Sequence, residues 1–152
     1  MMKVLFLDMD GVLNRHEVQT NGWPLIHPKC VKNLNHILRQ CPKVKIVMSS
    51  AWRYMIIEQE MTVIGFMKLL LIAGVDCYGR VIGHTCSDEQ IGDREEQIYR
   101  WVHENEPEVG KIEFVVLDDL PLDMPELIQT DPYKGLTIEL ANEVVRRFKD
   151  DV

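Results

Sequence analysis

Short apolar runs alternate with amphipathic stretches along the chain. The runs predict buried strands of a parallel sheet, because strands covered on both faces read as nearly continuous hydrophobic segments. Four strands are predicted on this basis: Val4–Leu7, Val44–Met48, Phe114–Leu117 and a short one at Leu127–Ile128. The first three runs are followed at once by Asp8, Ser49 and Asp118. Each of these predicted strands therefore ends in a polar side chain.

Segments with helical periodicity lie between the predicted strands and after the last one. Pro28 suits a first helical turn, Asp93 is a predicted N-cap, and Gly74 is expected to close an apolar helix. The predicted helices are Pro28–Gln40, Thr62–Ala73, Asp93–Glu104 and Ile138–Phe148. This alternation is typical of an α/β fold, with one Rossmann-like parallel sheet and helices on both faces. We expect a single domain over residues 1–152.

Charge and cysteine usage narrow the functional classes. The chain has 17 Lys and Arg against 24 Asp and Glu, a net charge of -7, which disfavours a non-specific nucleic-acid binder. Residues 1–53 nevertheless carry 8 basic against 3 acidic residues.

The four cysteines form no CxxC pair, and the N-terminal residues lead directly into an apolar strand. A reducing, cytoplasmic setting without signal peptide or membrane span is therefore predicted.

The segment Asp8-Met9-Asp10-Gly11 carries the strongest candidate chemistry. Two carboxylates this close at a strand end repel each other, so a divalent cation is expected beside them, and oxygen ligands suit Mg²⁺. One carboxylate can attack phosphorus to form an aspartyl-phosphate, and the other can protonate the leaving oxygen. Ligands of parallel sheets bind at the carboxyl ends of the strands. For this segment alone, an acidic glycine turn without chemistry is the alternative interpretation.

The order of these segments resembles that of the haloacid dehalogenase-like (HAD) superfamily. Leu7–Asn14 resembles its motif I, which implies that Asp8 is the nucleophile and Asp10 the general acid and base. Ser49 resembles the hydroxyl residue of motif II, which binds the transferring phosphoryl group, and the adjacent Ser50 is a possible substitute. Asn14 is expected to be structural or exposed.

The predicted apolar strand at Phe114–Leu117 and the two acids that follow it, Asp118 and Asp119, resemble motif IV. By similarity to superfamily members with adjacent acids, Asp119 is expected to bind Mg²⁺ and Asp118 to support it. The same resemblance adds Asp8, and Asp10 through its backbone carbonyl, to the metal ligands. The implied cofactor is Mg²⁺.

Motif III requires a Lys or Arg that offsets charge at the nucleophile and the phosphate. Arg94, at the start of a predicted helix, is the favoured residue, and Arg100 is the alternative. Trp52 and Arg53 follow the motif II serines and are predicted to bind substrate, because an arginine can take a second phosphate and an aromatic ring can stack on a base. Core packing is the alternative for Trp52.

A finer resemblance, to the small HAD domains of Swiss Army Knife RNA-repair proteins, covers most of the chain. It rests on Leu7–Asn14, Ser49–Arg53, Arg94–Ile98, Val116–Asp119, Thr130–Pro132 and Gly135–Thr137. Those domains lack a large cap, and the 39 residues from Asp10 to Ser49 leave little room for one here. The resemblance implies a Mg²⁺-dependent phosphomonoester hydrolase whose phosphorylated substrate is a nucleic-acid 3′-phosphate end.

Three other functions compete with this hypothesis. A small-molecule phosphatase for nucleotides or sugar phosphates would use the same residues. A non-catalytic, phosphate-binding regulatory protein is disfavoured because Asp8, Asp10, Ser49 and the Asp118–Asp119 pair are all present. A two-component receiver is disfavoured because its acidic cluster follows the first strand and its phosphorylated Asp a later one, the reverse of the order here.

Overall fold

A computed structural model describes residues 1–16, 26–49, 63–85 and 93–149 of the chain. Within these ranges the chain forms five strands and four helices. In chain order they are β1 (Met2–Leu7), α1 (Pro28–Gln40), β2 (Lys45–Met48), α2 (Val63–Ile72), β3 (Val81–His84), α3 (Arg94–Val109), β4 (Ile112–Asp118), β5 (Leu127–Gln129) and α4 (Ile138–Lys149).

The five strands form one parallel sheet in the order β3-β2-β1-β4-β5. At its centre, Leu7 lies opposite both Met48 of β2 and Leu117 of β4. The ladder continues one residue further, because Asp8 N donates to Leu117 O and Ser49 N donates to Leu7 O, each at 3.0 Å. The residues that follow the three central strands are therefore neighbours at the carboxyl edge of the sheet.

Helices cover both faces of the sheet, which confirms the predicted α/β architecture. One face is covered by α1, α2 and α4, and its core includes Leu5, Leu7, Leu34, Phe66 and Phe148. The other face is covered by α3, and its core includes Val4, Phe6, Val47, Ile98 and Val116. Alternate side chains of β1 thus pack into the cores on opposite faces of the sheet, as the pleat of a strand requires.

The largest departures from the sequence-based prediction concern two elements, whereas the bounds of the other described elements differ by at most two residues. Strand β3 was not predicted, because its four residues contain Gly83 and His84 and form no continuous apolar run. The prediction that α3 ends at Glu104 is wrong, since the helix continues through Pro107 to Val109 and ends at Gly110. Pro107 lies in the last turn, where its missing N–H removes only one intrahelical hydrogen bond.

The cysteines of the described residues behave as small core residues. Cys30, Cys41 and Cys77 are buried and are not joined in disulfides, and Cys86 lies outside the described residues. No helix in the described ranges is both long enough and apolar enough to cross a membrane.

Arg80, the residue that precedes β3, has a structural role away from the carboxyl edge, because its side chain binds backbone oxygens at the C-terminal end of α1 and just beyond it. Its guanidinium donates to three backbone oxygens, those of Leu38 at 2.9 Å, Cys41 at 2.6 Å and Val44 at 3.0 Å. We expect Arg80→Ala to lower the free energy of unfolding by about 1–3 kcal/mol, because it removes these donors from part-buried carbonyls. Urea unfolding tests this. The matched variant Arg39→Ala, at an exposed position of α1, is expected to change stability by less than about 0.5 kcal/mol. Equal losses in both variants would contradict the assignment.

Candidate active site

Three buried or half-buried carboxylates meet one guanidinium at the carboxyl edge of the sheet. Asp8 follows β1 and Asp118 ends β4, and their exposures are only 4% and 0%. Arg94, the first residue of α3, reaches both of them. Its Nη1 lies 2.7 Å from Asp118 Oδ2 and 3.6 Å from Asp8 Oδ2. The N-cap of α3 is Asp93, whose side chain accepts from Glu96 N, so the helix start that carries Arg94 is anchored.

Asp119 completes an acidic cluster that suits a divalent cation. One carboxylate oxygen from each of Asp8, Asp118 and Asp119 lies within 4.8 Å of the others. Ionised, the cluster carries three negative charges, and Arg94 supplies one positive charge. A hard cation with oxygen ligands, such as Mg²⁺, would balance the remainder. The residues present therefore fit the expected metal.

The pKa values of the cluster follow from this crowding. Burial raises the pKa of Asp8 to about 9, the charge of Asp118 adds to the rise, and Arg94 opposes it. Burial also raises the pKa of Asp119, which shares a hydrogen bond with Asp8. For Arg94, burial alone would lower the pKa, but the carboxylates of Asp118 and Asp8 outweigh it and the pKa is raised. Arg94 therefore stays charged, and burial favours the protonated form of Asp8 when no metal is bound.

This shift predicts a pH dependence of the metal-free fold. The folded-state pKa of Asp8, about 9, lies above its ordinary value of 3.8, so this group stabilises the fold below pH 4 and loses that contribution as pH rises towards 9. In EDTA we expect the thermal midpoint of the wild type to fall over this interval more than that of Asp8→Asn. Added Mg²⁺ should reduce the difference. Thermal scans at pH 5, 7 and 9 check this, and identical pH profiles for both proteins would contradict it.

Asp10 is held at the mouth of the site by the loop that follows β1. Asn14 is fully buried; its Nδ2 donates to Asp10 Oδ1 at 2.9 Å, and its Oδ1 accepts from Gly11 N at 2.9 Å. Thr130, which follows β5, donates from Oγ1 to Gly11 O at 2.7 Å. The Asp10 carboxylate is not part of the three-acid cluster. Its side chain is therefore positioned separately from the candidate metal ligands.

Close packing around the loops after β1 and β5 explains why one position in each loop is a glycine. Gly11 has a φ of +80°, and a Cβ there would lie 2.7 Å from Asp119 Oδ2. Gly135 has a φ of +65°, and a Cβ there would lie 2.6 Å from Cys30 Sγ and 3.0 Å from Val12 O. Both positions need the left-handed region and lack space for a side chain. The loops after β1 and β5 are consequently packed against each other.

The structure brings most of the predicted site residues together at one edge. Asp8, Asp118 and Asp119 form the cluster, and Ser49 follows β2 in the neighbouring position, fully buried. Arg94 contacts the cluster, whereas its competitor Arg100 is exposed further along α3. Their chemical roles stay predictions. The predicted substrate-binding residues Ser50, Trp52 and Arg53 lie outside the described residues.

Two supporting residues were given no role at the site by the sequence analysis. Asn14 was expected to be structural or exposed; it is structural, but it is also the partner that holds Asp10. Its position four residues after Asp10, within a turn, was the available clue. Thr130 was noted only as part of a resembling segment, and its bond to Gly11 depends on the pairing of β4 with β5.

Comparison with known proteins gives a matching family model and a solved structure of similar fold. The sequence model of the "HAD domain in Swiss Army Knife RNA repair proteins" matches residues 4–141. A search of curated proteins finds no match. Among solved structures, the chain is similar to the HAD domain of effector protein Lem4 from Legionella pneumophila. The identity is 17% and the TM-score 0.57, with 99% of this chain and 97% of that chain covered.

Proposed function

Because the chain belongs to the family of HAD domains found in Swiss Army Knife RNA-repair proteins, we propose that it is a Mg²⁺-dependent phosphomonoester hydrolase. The observation that carries the proposal is the buried cluster of Asp8, Asp118 and Asp119 with Arg94 against it. A buried group of like charges is costly to maintain without a function, and strongly shifted carboxyl pKa values cluster at catalytic sites.

The chain's own residues would divide the reaction as follows. Asp8 attacks the phosphorus atom and forms an aspartyl-phosphate, while Asp10 donates a proton to the departing oxygen. Asp10 then takes a proton from water, which attacks the same phosphorus, releases phosphate and restores Asp8. Ser49 and Arg94 hold the phosphoryl oxygens. Mg²⁺ bound by Asp8, Asp119 and the Asp10 carbonyl, with Asp118 in support, would keep Asp8 ionised and offset negative charge.

We propose a nucleic-acid 3′-phosphate end as the substrate. The family description names RNA repair, and residues 1–53 carry a basic surplus within an acidic chain. A basic and aromatic surface also adjoins the loop of Asp10. There Arg15 Nε donates to Lys134 O at 3.0 Å, and the rings of His16 and the exposed Tyr133 meet edge to face at 5.3 Å. Cations and an exposed ring suit a phosphodiester backbone and its bases.

A substrate panel tests this proposal. The panel contains an aryl phosphate, a 3′-nucleotide, a sugar phosphate, and matched oligonucleotides phosphorylated at the 3′ or the 5′ end. We expect Mg²⁺-dependent release of phosphate, fastest from the 3′-phosphorylated oligonucleotide. Equal rates on the free nucleotide and the oligonucleotide would favour a small-molecule phosphatase. No release from any substrate with Mg²⁺, Mn²⁺ or Co²⁺ would contradict the hydrolase proposal.

A further inference from the structure

Ser49, Asp8 and Asp118 lie at the carboxyl ends of three neighbouring strands. Thr85, which follows the edge strand β3, adds a fourth polar residue at this edge. Thr85 N donates to Met48 O at 2.9 Å, just as Ser49 N donates to Leu7 O. The register of β2 and β3 pairs Met48 with His84, so Thr85 lies beside Ser49. Thr85, Ser49, Asp8 and Asp118 therefore occupy successive strands at one level of the sheet.

The side chain of Thr85 lies on the same face of the sheet as the acidic cluster. Val47 faces α3, and Ser49 follows it by two residues. Gly83 also faces α3, since a Cβ there would lie 3.5 Å from the indole nitrogen of Trp101. Thr85 is two residues beyond Gly83, so the pleat turns its hydroxyl towards the side from which Arg94 approaches.

The hydroxyl of Thr85 has no hydrogen-bond partner in the part of the chain that the structure describes. Thr85 is also fully buried. A buried hydroxyl without a partner is costly and is uncommon in folded proteins. It is also unlike Thr130, whose hydroxyl is bonded to Gly11 O. Thr85 thus keeps a free donor beside the residue expected to bind phosphate.

We propose that Thr85 is a second hydroxyl donor to the phosphoryl group, paired with Ser49. Neighbouring strands lie about 4.8 Å apart, and two O–H···O bonds of about 2.7 Å each span that gap. One phosphoryl oxygen between the two side chains can therefore accept from both. Thr85 would bind the phosphoryl group from the side of Ser49 that faces away from Asp8. This inference rests on the proposed function for the nature of the ligand.

Binding of orthovanadate, a phosphate analogue, tests the proposal without requiring turnover. Thr85→Val keeps the shape and removes the donor, and Thr85→Ser keeps the donor as a matched control. With Mg²⁺ present, we expect Thr85→Val to bind orthovanadate at least about tenfold more weakly, as loss of a hydrogen bond to a charged group implies. Thr85→Ser should bind as the wild type does. In the absence of ligand, Thr85→Val should unfold at no lower temperature than the wild type.

The outcomes separate this inference from the hydrolase proposal. A wild type that binds orthovanadate through Thr85 but hydrolyses no phosphomonoester would overturn the hydrolase and support the inference. An active wild type whose affinity for orthovanadate is unchanged in Thr85→Val would overturn the inference alone. Equal losses of affinity in the Val and Ser variants would indicate a purely structural role and would also overturn it, as would a wild type that binds no orthovanadate.

Discussion

Asp8→Asn is expected to lower the turnover of an aryl phosphate by roughly 10⁴-fold or more, because it removes the nucleophile on which both chemical steps depend. The same change should raise the thermal midpoint of the metal-free protein. Burial and the charge of Asp118 raise the pKa of Asp8. Folding without metal therefore disfavours the ionised carboxyl that the unfolded chain carries, whereas an amide is neutral in both states. Steady-state kinetics with Mg²⁺ and thermal unfolding in EDTA measure the two effects.

A combination of lost activity and gained stability is diagnostic of a functional carboxylate. A residue that served only to support the fold would lose stability on substitution. The matched control is Asp76→Asn, at an exposed position, which should change neither quantity. Turnover by Asp8→Asn within tenfold of the wild type would remove Asp8 from the nucleophile role.

Arg94→Met is expected to lower both activity and stability. The guanidinium is bonded to Asp118 at 2.7 Å and lies 3.6 Å from Asp8. Its loss removes a cation from the proposed phosphoryl site, and removal of one such group typically costs about 10²–10³-fold in rate. It also leaves the fully buried Asp118 without this partner, and breaking a buried pair in this way costs about 3–5 kcal/mol.

Kinetic and urea-unfolding measurements on the variants at position 94 check this prediction. Arg94→Lys keeps the charge but not the planar guanidinium. Its activity and stability should therefore lie between those of Arg94→Met and the wild type. Arg100→Met, at an exposed position of the same helix, should match the wild type in both measurements. If Arg100→Met lost activity and Arg94→Met did not, the cation of the site would have been assigned to the wrong residue.

The central part of the fold was predictable from hydrophobic patterning. The runs before Asp8, Ser49 and Asp118 lie at the centre of the sheet and are covered on both faces, so their sequences are apolar almost throughout, with Lys45 as the exception. Parallel strands end at one edge, and the polar residues after them are therefore brought together without further information. The resemblance to known motifs then suggested a role for each.

Contacts that depend on tertiary packing were harder to predict from the sequence. β3 is stabilised by its pairing with β2 rather than by its own residues, so neither the strand nor Thr85 at its end was predicted. Arg94 was favoured over Arg100 only from its place in a helix. Its contacts with Asp118 and Asp8 follow from how α3 packs on the sheet. Local periodicity contains no information about that packing.

Trapping the aspartyl-phosphate would show whether Asp8 is the nucleophile. Asp10→Asn should slow release of phosphate from Asp8, because the water that attacks the intermediate would lose its base. The Asp10→Asn protein is mixed with Mg²⁺ and an aryl phosphate, reduced with borohydride, which converts an acyl phosphate to an alcohol, and analysed by peptide mass spectrometry. We predict homoserine at position 8, only when both Mg²⁺ and substrate are present. Modification at Asp118 or Asp119 instead, or turnover by the wild type with no modified carboxyl in either protein, would contradict the account.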